Sequence, residues 1–318
     1  MRAPLLVAGP NLTLDRTSRL AVLRPGEVQR AREVAVTAGG KGVNVCRAAA
    51  SLGRAATLVS FLPARTGEAA AALLADERID LVAVPIEGEL RSTAIVIEDG
   101  GRTTVLNEPG PPVSGADWPA YERAIAERLE GAGALVCSGS LPPGAPDGGY
   151  ARLAALARAA TWACVVDAGG AVLREAVASG AVVAPNLGEA ESVLAGEQLG
   201  ESVAAASDAR ERALAAARGL VEQGAAAAVV TAAGAGAAFA DSAGGEGSVA
   251  APPVIVRNPI GAGDAFTAAL AGGLADGAPL GRAVQLGVAA GSASVEFPLA
   301  GRLDAGRALS LSTEPEAG

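Results

Sequence analysis

Residues 134–184 read ALVCSGSLPPGAPDGGYARLAALARAATWACVVDAGGAVLREAVASGAVVA. Three short apolar runs, Leu135-Val136-Cys137, Val165-Val166 and Val182-Val183, alternate with two Ala- and Leu-rich segments of helical length, 148–160 and 172–179. Strands that are apolar at consecutive positions are buried on both faces, so this βαβαβ rhythm predicts a largely parallel sheet with helices on either side. Upstream, Leu5-Leu6-Val7-Ala8 before Gly9-Pro10 reads as a first strand. Downstream, the uncharged stretch 224–240 is too short and too rich in Ala and Gly to span a membrane, and reads as strand, turn, strand. Val254-Ile255-Val256 also looks like a strand, followed by two long Ala-rich helices at 262–276 and 280–295, with Pro279 in a first helical turn and a loose tail after Leu311.

Two stretches break the rhythm. Residues 12–36 and 84–109 carry strand patterns without helices between them, and Thr93-Ala94-Ile95-Val96-Ile97, Asp99-Gly100-Gly101 and Thr103-Thr104-Val105-Leu106 make a hairpin with turn residues at its tip. Together they predict a small antiparallel lid (12–36 and 84–109) on an α/β core built from 1–11, 37–83 and 110–318.

The 318 residues carry 25 Lys+Arg against 34 Asp+Glu, a net charge of −9 that argues against a nucleic-acid partner. Histidine is absent, which excludes Ser-His-Asp and Cys-His catalysis and His-based zinc sites. Three cysteines far apart, Cys46, Cys137 and Cys164, suggest neither a disulfide framework nor a structural zinc, and fit a reducing cytoplasm; no run of the sequence suggests a membrane partner. Neither a dinucleotide GxGxxG nor a P-loop GxxxxGK[ST] is present.

Four motifs could carry chemistry. Gly261-Ala262-Gly263-Asp264 opens a helix, where free amides and the helix dipole make an anion site and Asp264, kept ionised by the dipole, could take a proton from an attacking hydroxyl. The same pattern also suits an Asp that merely caps a helix. Gly39-Gly40-Lys41-Gly42 opens a second helix with Asn44 one turn in, a setting for a polyhydroxylated or phosphorylated ligand or for a plain turn with a solvated lysine. Pro185-Asn186-Leu187-Gly188-Glu189 follows a strand at the sheet edge where α/β proteins bind ligands; Asn186 and Glu189 could organise a hydrated Mg²⁺ or simply form a capping box. Ser138-Gly139-Ser140-Leu141-Pro142-Pro143-Gly144 follows another strand and could line the same edge.

In order and spacing these motifs, with Asn11-Leu12-Thr13-Leu14-Asp15 and Val288-Ala289-Ala290-Gly291-Ser292-Ala293, resemble the PfkB, or ribokinase-like, family of sugar kinases over nearly the whole chain. Arg91-Ser92-Thr93 and the Ser-Gly-Ser-Leu-Pro-Pro-Gly loop are most similar to the branch acting on sugar phosphates, such as 1-phosphofructokinase and tagatose-6-phosphate kinase. The resemblance implies a three-layer ribokinase-like α/β fold with a β lid, and Asp264 as catalytic base beside an anion hole of Gly261, Ala262 and Gly263. It assigns Asn11, Asp15, Gly39, Gly40, Asn44 and Ser138 to sugar hydroxyls, and Lys41 and Arg91 to the phosphate already on the sugar. ATP would meet Asn186, Thr231, Gly234, Gly236, Gly261, Gly263 and Ala290, with Mg²⁺ held through water by Glu189 and Asn186.

The chain departs from the family pattern at Ala184, where this branch has Lys before Pro-Asn, in the turn 232–236, and at Asn258-Pro259. The expected activity is phosphorylation of fructose 1-phosphate, fructose 6-phosphate or tagatose 6-phosphate in the cytoplasm, with a homodimer through the lid by fold analogy. Two alternatives stay open. A kinase of a free sugar or nucleoside would lack a pocket on which Lys41 and Arg91 converge, and a sugar- or nucleotide-binding regulator would bind without releasing ADP.

Overall fold

The computed structural model describes residues 2–160, 163–196 and 207–313. The chain opens with β1 (Leu5–Ala8), a first hairpin β2 (Thr13–Leu20) and β3 (Glu33–Gly39), then α1 (Lys41–Ser51), β4 (Ala56–Pro63), α2 (Gly67–Asp76) and β5 (Asp80–Ile86). A second hairpin, β6 (Arg91–Glu98) and β7 (Thr103–Asn107), precedes α3 (Asp117–Leu129). The alternating middle follows as β8 (Ala134–Ser138), α4 (Gly149–Ala159), β9 (Ala163–Asp167), α5 (Gly170–Ala178), β10 (Val182–Val183) and α6 (Leu187–Ala195). After α7 (Ala209–Glu222) come β11 (Ala227–Thr231), β12 (Ala237–Asp241) and β13 (Glu246–Val249), and the chain closes on α8 (Ala262–Ala275), α9 (Leu280–Ser294) and α10 (Ala305–Thr313).

The large sheet has the order β13-β12-β11-β10-β9-β8-β1-β4-β5 and is parallel except at β12 and β13. Alternation along each strand divides the core. Leu6, Ala8, Leu135, Cys137 and Val166 face α3 to α7, whereas Leu5, Val7, Ala134, Val136 and Val165 face α1, α2 and α8 to α10. Both faces are buried, as the unbroken apolar runs require, and the result is a three-layer α/β/α sandwich.

The small sheet has the order β3-β2-β6-β7; each hairpin is antiparallel, and the two join through a parallel β2–β6 pair. Its edges differ from the expected 12–36 and 84–109. β3 runs on to Gly39, and β5 keeps Val84 and Ile86 in the large sheet because both are buried against its core, so the second hairpin starts at Arg91.

Three further expectations change. Val254-Ile255-Val256 is not a strand: Pro252 and Pro253 lack donors for a ladder, and Ile255 and Val256 are exposed. Pro279 caps α9 from outside, with ψ 149°, rather than sitting in its first turn. The tail beyond Leu311 continues as helix to Thr313, and the remainder of that expectation lies outside the described residues. No described helix is long and apolar enough to cross a membrane.

Candidate active site

Parallel topology sends the C-terminal ends of β1, β4, β5 and β8 to β11 to one edge of the large sheet, and the chemistry-bearing loops gather there. α1 starts close against that edge: a Cβ on Gly42 would lie 2.9 Å from Gly9 Cα at the end of β1. Its N-cap, Gly40, has φ 106°, and the helix begins without a side-chain cap. α8 opens the same way on Gly261, whose φ is 85° and whose missing Cβ leaves room for the backbone N of Gly301. The first-turn amides of an uncapped helix are unsatisfied and attract an anion.

Asp264 lies in that first turn and is buried, 5% exposed. Asn44 Nδ2 donates to its Oδ2 at 2.8 Å. Burial pushes the Asp264 carboxyl up to about 7, with Asp167 adding to the rise and Lys41, Asn44 and Arg47 opposing it. The dipole therefore does not hold Asp264 fully ionised at neutral pH, contrary to expectation; desolvation outweighs it.

Lys41 Nζ donates to Asp167 Oδ1 at 2.9 Å and lies 4.0 Å from Glu189 Oε1. Burial opposes the Lys41 charge, yet Asp167, Glu189 and Asp264 together raise its pKa. Ser138 Oγ donates to the other oxygen of Asp167 at 3.3 Å. Asn186 and Glu189 do form the capping box: Asn186 Oδ1 accepts from Glu189 N, and Glu189 Oε2 accepts from Asn186 N, both at 2.9 Å. A single β-bridge sets Thr231 beside Asn186.

On the small sheet, Gly39 leaves space that the Asp15 carboxylate occupies. Burial raises the Asp15 pKa, against a hydrogen bond from Thr93 and the charges of Arg47 and Arg91. Arg91 is clamped by carbonyls: Nη2 and Nε donate to Asn11 O at 2.8 and 3.2 Å, and Nη1 to Glu108 O at 3.1 Å. Asn11 Nδ2 donates to Pro109 O and Ser140 Oγ.

A cleft of about 1560 Å³ brings together Asn11, Asp15, Gly39, Gly40, Lys41, Asn44, Arg91, Ser138, Gly261 and Asp264. An adjoining cavity of about 140 Å³ is lined by Lys41, Asp167, Ala184, Asn186, Glu189, Thr231, Gly261, Gly263 and Asp264. Lys41 and Asp264 stand where the two meet. Lys41 and Arg91 share the cleft, but Lys41 is turned to three carboxylates while Arg91 belongs to the small sheet. Gly234 and Gly236 lie in the β11–β12 turn beyond Thr231 and line neither space; Ala262, expected in the anion hole, also lines neither, its N–H donating to Pro259 O, and Ala290 is packed away at 1% exposure.

Two residues of the site were not foreseen. Asp167 ends β9 directly after Val165-Val166, so its place on the edge was readable from the strand, but nothing local distinguished it from a strand terminator. Arg47 looks like an ordinary helix residue in sequence, and only the fold reveals that it is buried behind Asn44. Among the described residues no group of three or more Asp, Glu, Cys or His is arranged to hold a metal ion. The oxygen donors Glu189 and Asn186 fit Mg²⁺ only in the shared manner it favours, with water and ligand phosphates completing the shell.

Two spaces that meet at a buried carboxylate and an uncapped helix end, on an α/β/α sandwich with a small second sheet, suit transfer of a phosphoryl group to a hydroxyl. The chain belongs to the pfkB family of carbohydrate kinases, whose family model matches residues 11–303. It is a sugar kinase, and that membership implies ATP as phosphate donor. It is similar to phosphofructokinase-2 from Escherichia coli in complex with fructose-6-phosphate, at 29% identity over 98% of each chain and a TM-score of 0.84. The fold is also that of a "possible 1-phosphofructokinase" from Thermotoga maritima (23% identity, 97% of each chain, TM-score 0.80). Arabidopsis thaliana ribokinase complexed with ribose and ATP shares it too (21% identity, 99% of this chain and 100% of that one, TM-score 0.77).

Proposed function

We propose that the protein phosphorylates a hydroxyl of a phosphorylated ketohexose with Mg²⁺-ATP, and that Asp264 is its base. The observation that carries this reading is the position of Asp264, at the junction of the two spaces and in the uncapped first turn of α8. The sugar lies in the cleft with its hydroxyls on Asp15, Asn11 and Asn44, and the nucleotide phosphates reach the smaller cavity past Asn186 and Thr231. The sugar oxygen attacks the γ-phosphorus, the bond to the β–γ bridging oxygen breaks, and the hydroxyl proton passes to Asp264. Charge spreading over the transferred oxygens is met by the amides of Gly263 and Asp264 and by Lys41. Mg²⁺, beside Glu189 and Asn186, supplies charge neutralisation of the phosphates when bound.

A base with a pKa of about 7 has a signed consequence. Below it Asp264 is protonated and cannot accept the proton, so kcat/KM should rise about tenfold per pH unit up to neutrality and then level. A profile flat from pH 5.5 to 8 would remove Asp264 as the base.

A phosphorylated acceptor is supported by Arg91 in the cleft wall and by the similarity to phosphofructokinase-2. Arg91→Ala should raise KM on the order of 10- to 100-fold for a sugar phosphate and hardly at all for the free sugar. Equal effects on both would favour the free-sugar reading. ADP release across fructose 1-phosphate, fructose 6-phosphate, tagatose 6-phosphate, fructose, ribose and adenosine tests the whole proposal. Binding without turnover on every sugar would favour the regulator.

The proposal includes a cytoplasmic setting, supported by three buried, unpaired cysteines. It includes a homodimer through the small sheet, where Val34, Val36, Val105 and Leu106 are exposed. In sedimentation, Val36→Lys with Leu106→Lys should convert a dimer to a monomer; an unchanged mass would discard that interface.

A further inference from the structure

Arg47 is a buried cation that lines neither ligand space. It lies one turn beyond Asn44 on α1, is 4% exposed, and donates from Nε and Nη2 to the Glu77 carboxylate at 2.7 and 2.6 Å. Nη2 also donates to Ala38 O at 2.7 Å, and Nη1 to Asn44 Oδ1 at 3.0 Å. Asn44 in turn donates from Nδ2 to Asp264 Oδ2. An unbroken row of hydrogen bonds therefore runs from the C-cap of α2 to the carboxylate at the mouth of α8.

We propose that Arg47 is a positioning residue for phosphoryl transfer: by occupying Asn44 Oδ1 it fixes which end of that amide faces Asp264. An Asn side chain presents a carbonyl on one side and an NH₂ on the other, and can rotate to exchange them. A guanidinium only donates and a carboxylate oxygen only accepts, so the exchanged arrangement would set donor against donor at Arg47 and acceptor against acceptor at Asp264. With the amide held one way, Asp264 Oδ2 is occupied by Asn44 Nδ2 and Oδ1 is the oxygen that takes the sugar's proton. Glu77 completes the row. Burial raises the Glu77 pKa, but the bonds and charges of Arg47 and Arg302 overcome that and hold it low, so it stays an anion and keeps the guanidinium in place. Asp15 on β2 also feels the Arg47 charge, and Asp264 faces Lys41 on its own side and Asp167 from β9.

This inference deepens the proposed function and rests on Asp264 being the base. The test is the paired variant Arg47→Met with Glu77→Leu, which removes both buried charges together, alongside Arg47→Leu on its own and Arg47→Lys, which keeps the charge but loses the fork. Two readouts are taken: steady-state kinetics against pH, and ¹³C NMR titration of Asp-labelled protein, the Asp264 resonance being the one missing in Asp264→Asn. In the paired variant the Asp264 titration should move up by about one pH unit, and kcat at pH 7 should fall on the order of 10- to 100-fold with KM for ATP within about twofold, while KM for the sugar, which also rests on Asn44, rises. Arg47→Lys should move both in the same direction by less, and it is the variant that decides if the others do not fold. An unmoved Asp264 titration, or a loss confined to KM, overturns the inference. If the wild-type protein phosphorylates no sugar, the proposed function falls, while the NMR titration still decides whether Arg47 governs Asp264.

Discussion

Asp264→Asn is expected to fold normally, to lose on the order of 10²-fold or more in kcat, and to be more thermostable than the wild type at pH 8. The loss follows from removing the proton acceptor while leaving its surroundings intact, because Asn44 Nδ2 can still donate to the new amide oxygen. The gain in stability follows from the same burial that raises the Asp264 pKa to about 7. Native protein holds that proton more tightly than the unfolded chain, so the group's stabilising contribution is complete below the ordinary carboxylate range and is lost as pH rises through about 7. The variant has no charge to bury. Its advantage in Tm should accordingly be small at pH 4 and largest above pH 7. Near-normal turnover would remove Asp264 from the chemistry, and a Tm difference independent of pH would show that the carboxyl does not titrate near neutrality.

Lys41→Met is expected to cost on the order of 10²-fold in kcat and to shift what activity remains to higher pH. Lys41 is the cation nearest three carboxylates: it bonds Asp167, lies 4.0 Å from Glu189, and lowers the pKa of Asp264. Without it, the smaller cavity keeps three acidic groups and no neutralising charge, which disfavours phosphate entry as well as ionisation of the base. Lys41→Arg should recover part of the rate. Had Lys41 served the sugar's own phosphate, the loss would instead appear in KM for that substrate alone, with kcat and the pH profile unchanged.

The fold was legible wherever composition and period agreed. Leu135-Val136-Cys137, Val165-Val166 and Val182-Val183 are apolar at every position because both faces of their sheet are covered, and that made the parallel order readable. Val254-Ile255-Val256 has the same letters but follows Pro252-Pro253, and backbone donors decided against a strand. Asp264 and Asn44 were each marked by the glycines that open their helices. Their contact, across 220 positions, was not legible, since no local pattern encodes which helix ends meet. Arg47 and Asp167 were missed for the same reason: one is defined by what lies behind it and the other by what comes to face it.

The backbone of Gly301 packs where a Cβ would meet Asn44 O at 2.6 Å, and its N fills the space left by Gly261. The two glycine-opened helices are thus joined through one short stretch of backbone at Gly301. Any Cβ at 301 would press this backbone away from Asn44, and any Cβ at 261 would press it away from the mouth of α8. The meeting of Asn44 with Asp264 therefore depends on a residue that lines neither ligand space, and a side chain at 301 would part the two helix mouths.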